Sequence, residues 1–187
     1  DAPPTRITLP VPGRHMIGNA LLAAAVGWRL GLPPAEIKAG LEAATLHGGR
    51  LQRRAAAGLQ ILDDSYNANP DSMRAALRTL RDQPVEGRRL AVLGRMGELG
   101  PHAAAGHRAV GEAAAAVGVD FLLTVGDDDS RLIHDAFGDA SHSRRCATHA
   151  EAAAWLREEA TAEDLILLKG SRSAAMEKVL ENLKSEI

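Results

Sequence analysis

The sequence predicts an α/β fold: a doubly wound, mostly parallel sheet with helices on both faces over residues 52–187, preceded by a short helical segment. Three observations carry this. From Leu51 onward, apolar runs of strand length recur: "GLQILDD", "RLAVLG", "DFLLTVG", "RRCATH" and "DLILLKG". Each is followed by a loop and an alanine-rich stretch with helical apolar spacing, such as Met73, Ala76, Leu77 and Leu80. The runs are apolar at successive positions, as in strands buried on both faces by crossover helices.

Taken in order, the chain opens on the proline-rich "DAPPTRITLPVPGRH", which reads as extended chain cut from something longer. Ile17, Leu21, Ala24 and Trp28 then recur at helical spacing, and "LGLPP" separates them from a second pattern, Ile37, Leu41 and Ala44. A helical pair of about forty residues is too small to be a stable domain alone. "LQRR" is placed to pair with "GLQILDD" as an antiparallel edge hairpin around Ala57 and Gly58. Asn69 and Pro70 supply a helix cap and a first helical residue. Thr148 and Glu151 form a capping-box pattern for the helix carrying Trp155. The last helix is marked by Met176, Val179, Leu180 and Leu183.

Composition excludes several classes. Lysine plus arginine number 22 against 24 acidic residues, a net charge of -2, so the basic excess that nucleic-acid phosphates or anionic lipid attract is missing. A single cysteine, Cys146, rules out an internal disulfide framework, and no Cys/His cluster has zinc-ligand spacing. No alanine-rich run reaches the roughly 20 apolar residues of a spanning helix, and the amino terminus lacks a signal-peptide layout. A cytoplasmic protein without a metal site is expected.

In doubly wound sheets, ligands bind beyond the carboxyl ends of the strands. The first loop there, "DDSYNANPDSM", carries more polarity than a turn needs. Asn69, Pro70 and Asp71 are accounted for as a helix start. For Asp64 and Tyr66 two readings stand side by side: a ribose and a base contact, or a solvated loop. "LGRMGELG" departs from the G-x-G-x-x-G fingerprint at Met96, which argues against a nicotinamide cofactor. "GDDDS" reads as a helix cap with solvated acids rather than a calcium loop. "KGSRS", residues 169–173, sets cations and hydroxyls at a strand end before the final helix, which reads as chemistry for a carboxylate or, alternatively, as a capped helix with surface cations. No G-x-x-x-x-G-K-[ST] phosphate loop is present.

Together, "DDSYNANPDSM", "KGSRSAAMEKV", "PGRHMIGNALLAAA" and "GGRLQR" closely resemble the carboxyl-terminal part of the Mur ligases, over essentially the whole chain. "SYNANPDSM" matches in particular the member that joins D-alanyl-D-alanine to UDP-N-acetylmuramoyl-tripeptide in peptidoglycan precursor synthesis. The resemblance implies that residues 1–51 are the tail of a central ATPase domain and residues 52–187 a Rossmann-like carboxyl-terminal domain. It further implies ATP and magnesium (Mg2+) as cofactors of the full enzyme, an acyl-phosphate intermediate, and a monomer. The fragment would be inactive alone, with no catalytic residue of its own, since the phosphate loop would lie outside it.

Position by position, the resemblance places His15 and Asn19 by the adenine, Arg50 at the nucleotide and Asp64 at the ribose, with Tyr66, Asn67 and Asn69 in the same loop. It places Lys169, Ser171 and Arg172 on the acceptor side, Arg172 for the dipeptide carboxylate. Met16 stands where the family has asparagine, and Arg95 where an acidic residue is usual. Two alternatives are weighed against this reading: a sibling ligase for a single amino acid, and a non-catalytic nucleotide-binding or interaction module.

Overall fold

The computed structural model describes residues 5–45 and 48–185. Contacts divide the chain into two compact units, Asp1–His47 and Gly48–Ile187. The break falls a few residues before the expected composition change. Residues 49–51 cohere with the second unit because Leu51 bonds Asp64, the last residue of its second strand, and Gly49 bonds Tyr66 in the loop that follows.

In the first unit, α1 (His15–Arg29) and α2 (Pro34–Glu42) form the expected helical pair. Pro33 and Pro34 start α2, where a missing N–H costs nothing. Gly27 is buried beside Ile37, and a Cβ on it would lie 3.2 Å from that side chain. The rest of the α1 apolar stripe is open: Ile17, Leu21, Val26 and Trp28 are all more than half exposed.

The second unit is built on one six-stranded sheet. Its strands are β1 (Gln52–Ala56), β2 (Leu59–Asp64), β3 (Arg89–Gly94), β4 (Phe121–Val125), β5 (Ser143–Cys146) and β6 (Leu165–Lys169). The spatial order is β1-β2-β6-β3-β4-β5. Only β1 is antiparallel, paired with β2 through a two-residue turn in which Ala57 (φ 50°) and Gly58 (φ 76°) take the left-handed conformation that such hairpins need. The other neighbours are parallel. Because β6 inserts between β2 and β3, the carboxyl ends of these strands flank the switch point where doubly wound sheets place ligands.

Alternate residues of each strand feed opposite faces. Leu62, Leu93, Leu122 and Leu167 pack with Met73, Leu77, Val110 and Ile133 of α3 (Pro70–Asp82), α4 (Ala103–Val117) and α5 (Asp128–Phe137). Ile61, Val92, Leu123 and Leu168 pack with Ala152, Leu156, Val179 and Leu183 of α6 (His149–Glu159) and α7 (Glu177–Lys184). The fold is the doubly wound α/β arrangement that the sequence predicts.

Two helix starts refine the sequence reading. Asn69 caps α3 as expected and also forms a full capping box with Ser72. At α6, Thr148 accepts the Glu151 N–H at 3.1 Å, but the Glu151 carboxylate bonds the Ala147 N–H at 2.8 Å, one residue earlier than a capping box.

Candidate functional site

The loop after β2 is held by its two aspartates in different ways. Asp63 is buried: its Oδ2 accepts Arg54 Nε at 3.0 Å, and its Oδ1 accepts the Ser65 N–H (3.2 Å) and hydroxyl (2.6 Å). Its work is structural. Asp64 lies on the opposite face of the strand, in register with Lys169 of β6. Its Oδ1 accepts the Leu51 N–H at 3.1 Å and its Oδ2 the Lys169 ammonium at 2.5 Å. Lys169 also donates to the Asn67 carbonyl at 3.0 Å.

The remaining loop residues divide between backbone support and exposure. Asn67 Oδ1 accepts the Ala68 N–H, and Asn69 is occupied by its capping box. Tyr66 is 46% exposed, and the Arg50 guanidinium lies 4.3 Å from its ring centroid, within cation–π range. The Tyr66 N–H donates to the Gly49 carbonyl. Gly49 has φ +63°, and a Cβ there would sit 2.8 Å from both Ser65 Oγ and Tyr66 N, so the two segments approach as only glycine permits. Arg50, Asp64, Tyr66, Asn67, Asn69 and Lys169 are thus brought together at one strand end. His15 and Asn19 lie in the first unit, one turn apart on exposed positions of α1.

Beside this loop cluster, at the same sheet edge, is an open pocket of about 460 Å³. Its polar lining comes from Arg95 after β3, Asp127 after β4, His149 at the start of α6 and Ser173 after β6. Arg95 and Asp127 form an ion pair at 3.3 Å. Asp127 stands at the amino end of α5 without bonding it through its side chain, so the acid expected as a helix cap faces Arg95 instead. His149 Nε2–H donates to the Ala174 carbonyl at 2.8 Å. The sequence marks Arg95 only as a departure from the family and Asp127 as a helix cap, and assigns neither of them nor His149 to a site. The one available signal was position, since two of them directly follow neighbouring parallel strands.

"KGSRS" departs in detail from the expectation of cations aimed at a helix amino terminus. A 3-10 turn, Arg172–Ala174, and a left-handed Ala175 (φ 49°) intervene, and α7 begins only at Glu177. Lys169 is buried in the loop cluster, Ser171 is buried with its hydroxyl 3.1 Å from Ser173 Oγ, and Arg172 is exposed and paired with Glu177 at 2.9 Å. The Ser171 N–H donates to the Arg95 carbonyl, joining the end of β6 to the pocket wall.

Cys146 and Asp164 are shifted ionisable groups outside the loop cluster. Burial pushes the Cys146 thiol up. At the amino end of β6, burial pushes the Asp164 carboxyl up, but hydrogen bonds from Arg88 and the Thr161 N–H outweigh it and hold the carboxyl below its usual range. Among the described residues, no group of three or more His, Cys, Asp or Glu side chains converges to hold a metal ion, and no helix is long and apolar enough to cross a membrane.

Residues 49–172 match the family described as Mur ligase, glutamate ligase domain, and the chain belongs to the Mur ligase family. The UDP-N-acetylmuramoyl-tripeptide–D-alanyl-D-alanine ligase of Escherichia coli is 43% identical over 95% of this chain, and that of Haemophilus influenzae 35% over 97%. The chain spans 39% and 40% of the lengths of these two relatives. A solved structure of MurF from Acinetobacter baumannii superposes with a TM-score of 0.84 at 32% identity, covering 96% of this chain and 39% of that one.

Proposed function

We propose that this chain is the carboxyl-terminal part of a MurF-type ligase that joins D-alanyl-D-alanine to UDP-N-acetylmuramoyl-tripeptide at the expense of ATP, in the cytoplasm. The observation that carries the reading is that "DDSYNANPDSM" and "KGSRS" meet at one sheet edge beside a polar pocket, in a chain 43% identical to the E. coli ligase of that name. On this reading residues 1–51 are the tail of the central ATPase domain, and residues 52–187 form the acceptor domain.

The donor set suits a nucleoside. The Asp64 carboxylate, oriented by the Leu51 N–H and the Lys169 ammonium, is an acceptor of the kind a ribose diol takes. Arg50 offers a cation, stacked on the half-exposed ring of Tyr66, at the same place. His15 and Asn19 are assigned to the adenine, and Asn67 and Asn69 to shaping the loop. ATP would phosphorylate the tripeptide carboxylate, making an acyl phosphate that the dipeptide amine attacks. Magnesium, which neutralises phosphate charge in such transfers, would be held by residues outside this chain.

On the acceptor side, the pocket walled by Arg95, Asp127, His149 and Ser173 pairs a cation with a carboxylate, which suits a zwitterionic dipeptide. Arg172, next to the pocket wall, is assigned to the dipeptide carboxylate and Ser171 to supporting that wall.

Phosphate release by the full enzyme tests the proposal, with ATP, magnesium, UDP-N-acetylmuramoyl-tripeptide and either D-alanyl-D-alanine or single amino acids. Release that depends on the dipeptide supports it. Release with a single amino acid alone assigns a sibling ligase, and none with any acceptor favours a binding module.

A further inference from the structure

We propose that Lys169 is a positioning residue for the nucleotide rather than a ligand of the acceptor. The inference rests on the reading of Asp64 as the ribose contact. The Lys169 side chain is only 3% exposed, and that of Asp64 13%. Burying a cation costs least when it is paired and hydrogen-bonded, and Lys169 finds both inside the loop cluster, at Asp64 Oδ2 and the Asn67 carbonyl.

The geometry gives this pair a definite task. The Leu51 N–H fixes one carboxylate oxygen of Asp64 and Lys169 fixes the other, so the plane of the carboxylate is set before any diol arrives. The bond to the Asn67 carbonyl anchors the loop that carries Tyr66.

Lys169 stands on the face of β6 away from the pocket. On that strand Leu165 and Leu167 pack with the α3–α5 side, whereas Ile166 and Leu168 pack with the α6–α7 side, where Ala174 lines the pocket. By strand alternation Lys169, at the strand end, shares the first face. The Ser171 N–H to Arg95 carbonyl bond holds the chain just beyond it. Lys169 therefore presents its charge to the nucleotide side, while the residues after it serve the acceptor side.

Steady-state kinetics of the full enzyme tests this with Lys169→Met, Asp64→Asn and the double variant. Lys169→Met is expected to raise KM for ATP about tenfold, the scale of a charge-assisted hydrogen bond, and to leave KM for D-alanyl-D-alanine unchanged. Asp64→Asn is expected to raise KM for ATP too, and the double variant to add little, since both act through one contact. A rise in KM for the dipeptide alone would overturn the inference.

If Asp64→Asn raises KM for ATP and Lys169→Met does not, the positioning role fails while the ribose reading stands. If Asp64→Asn has no effect, both fail. Should Lys169→Met not fold, the double variant, which leaves no buried charge unpaired, decides. A KM for ATP equal to that of Asp64→Asn supports the inference, and an added loss of dipeptide binding refutes it.

Discussion

His107, inside α4, accepts the Met96 N–H at its Nε2 at 2.8 Å, while its Nδ1–H donates to the Ala103 carbonyl at 2.7 Å. The ring is fully buried and both nitrogens are used. It thereby ties the helix to the loop that carries Arg95 into the pocket. His107→Leu would leave the buried Met96 N–H without an acceptor, at a cost of about 1–3 kcal/mol. Urea unfolding should show that loss, and hydrogen exchange should show the Met96 amide losing protection; retained protection would contradict it.

Gly111 of α4 packs directly against the backbone of α5. A Cβ there would stand 2.2 Å from the Ile133 carbonyl oxygen and 2.9 Å from Ala136 Cβ. Alanine usually favours a helix over glycine by about 1 kcal/mol, yet here the helices must move apart. Gly111→Ala is expected to destabilise by about 1–3 kcal/mol, the scale of overpacking. A rise in melting temperature would show that the packing gives way freely.

The contrast between these two residues explains what the sequence discloses. The strands β2, β3, β4 and β6 were legible because burial on two faces leaves apolar runs, the helices because their apolar residues recur at helical spacing, and the antiparallel hairpin because Ala57-Gly58 separates two strand-like segments. The Asp64 loop stood out because it carries more polar groups than its turn consumes. His107 gave no signal, since its acceptor role depends on a backbone N–H eleven residues away. Arg95 and Asp127 were obscured for a related reason: each looks like ordinary surface charge until neighbouring parallel strands bring them together. Lys169 was visible as a strand-end cation, but whether it turns toward the pocket or toward Asp64 is settled by packing.

The Arg172 side chain is 71% exposed and pairs with the Glu177 carboxylate, a solvent-screened partner that it can exchange for a ligand carboxylate at small cost. In the full enzyme, Arg172→Ala is expected to raise KM for D-alanyl-D-alanine about tenfold with KM for ATP unchanged. Unchanged dipeptide kinetics would remove the assignment.

Cys146 ends β5 at 2% exposure, and burial pushes its thiol up, so little thiolate forms near neutrality. A disulfide-exchange reagent should label it slowly in the native protein and rapidly in urea. Fast native labelling would mean that the β5 edge opens readily.

Asp164 gives the fold an acid-sensitive bond. Its carboxylate, 2% exposed, accepts the Arg88 N–H and Nη2 at 2.7 Å each and the Thr161 N–H at 2.9 Å. These bonds hold its pKa below the ordinary 3.8 despite burial. A carboxyl whose folded pKa is depressed contributes stability that is complete above the unfolded pKa and fades as pH falls through the folded one. Asp164→Ala is expected to cost about 3 kcal/mol near neutrality, the scale of breaking a buried pair. The gap from the unsubstituted protein should narrow below the unfolded pKa, as the native carboxyl also takes up its proton. Urea unfolding of both proteins across acid pH measures this directly, and a gap that stays constant down to the acid transition would show that Asp164 contributes by packing rather than by charge.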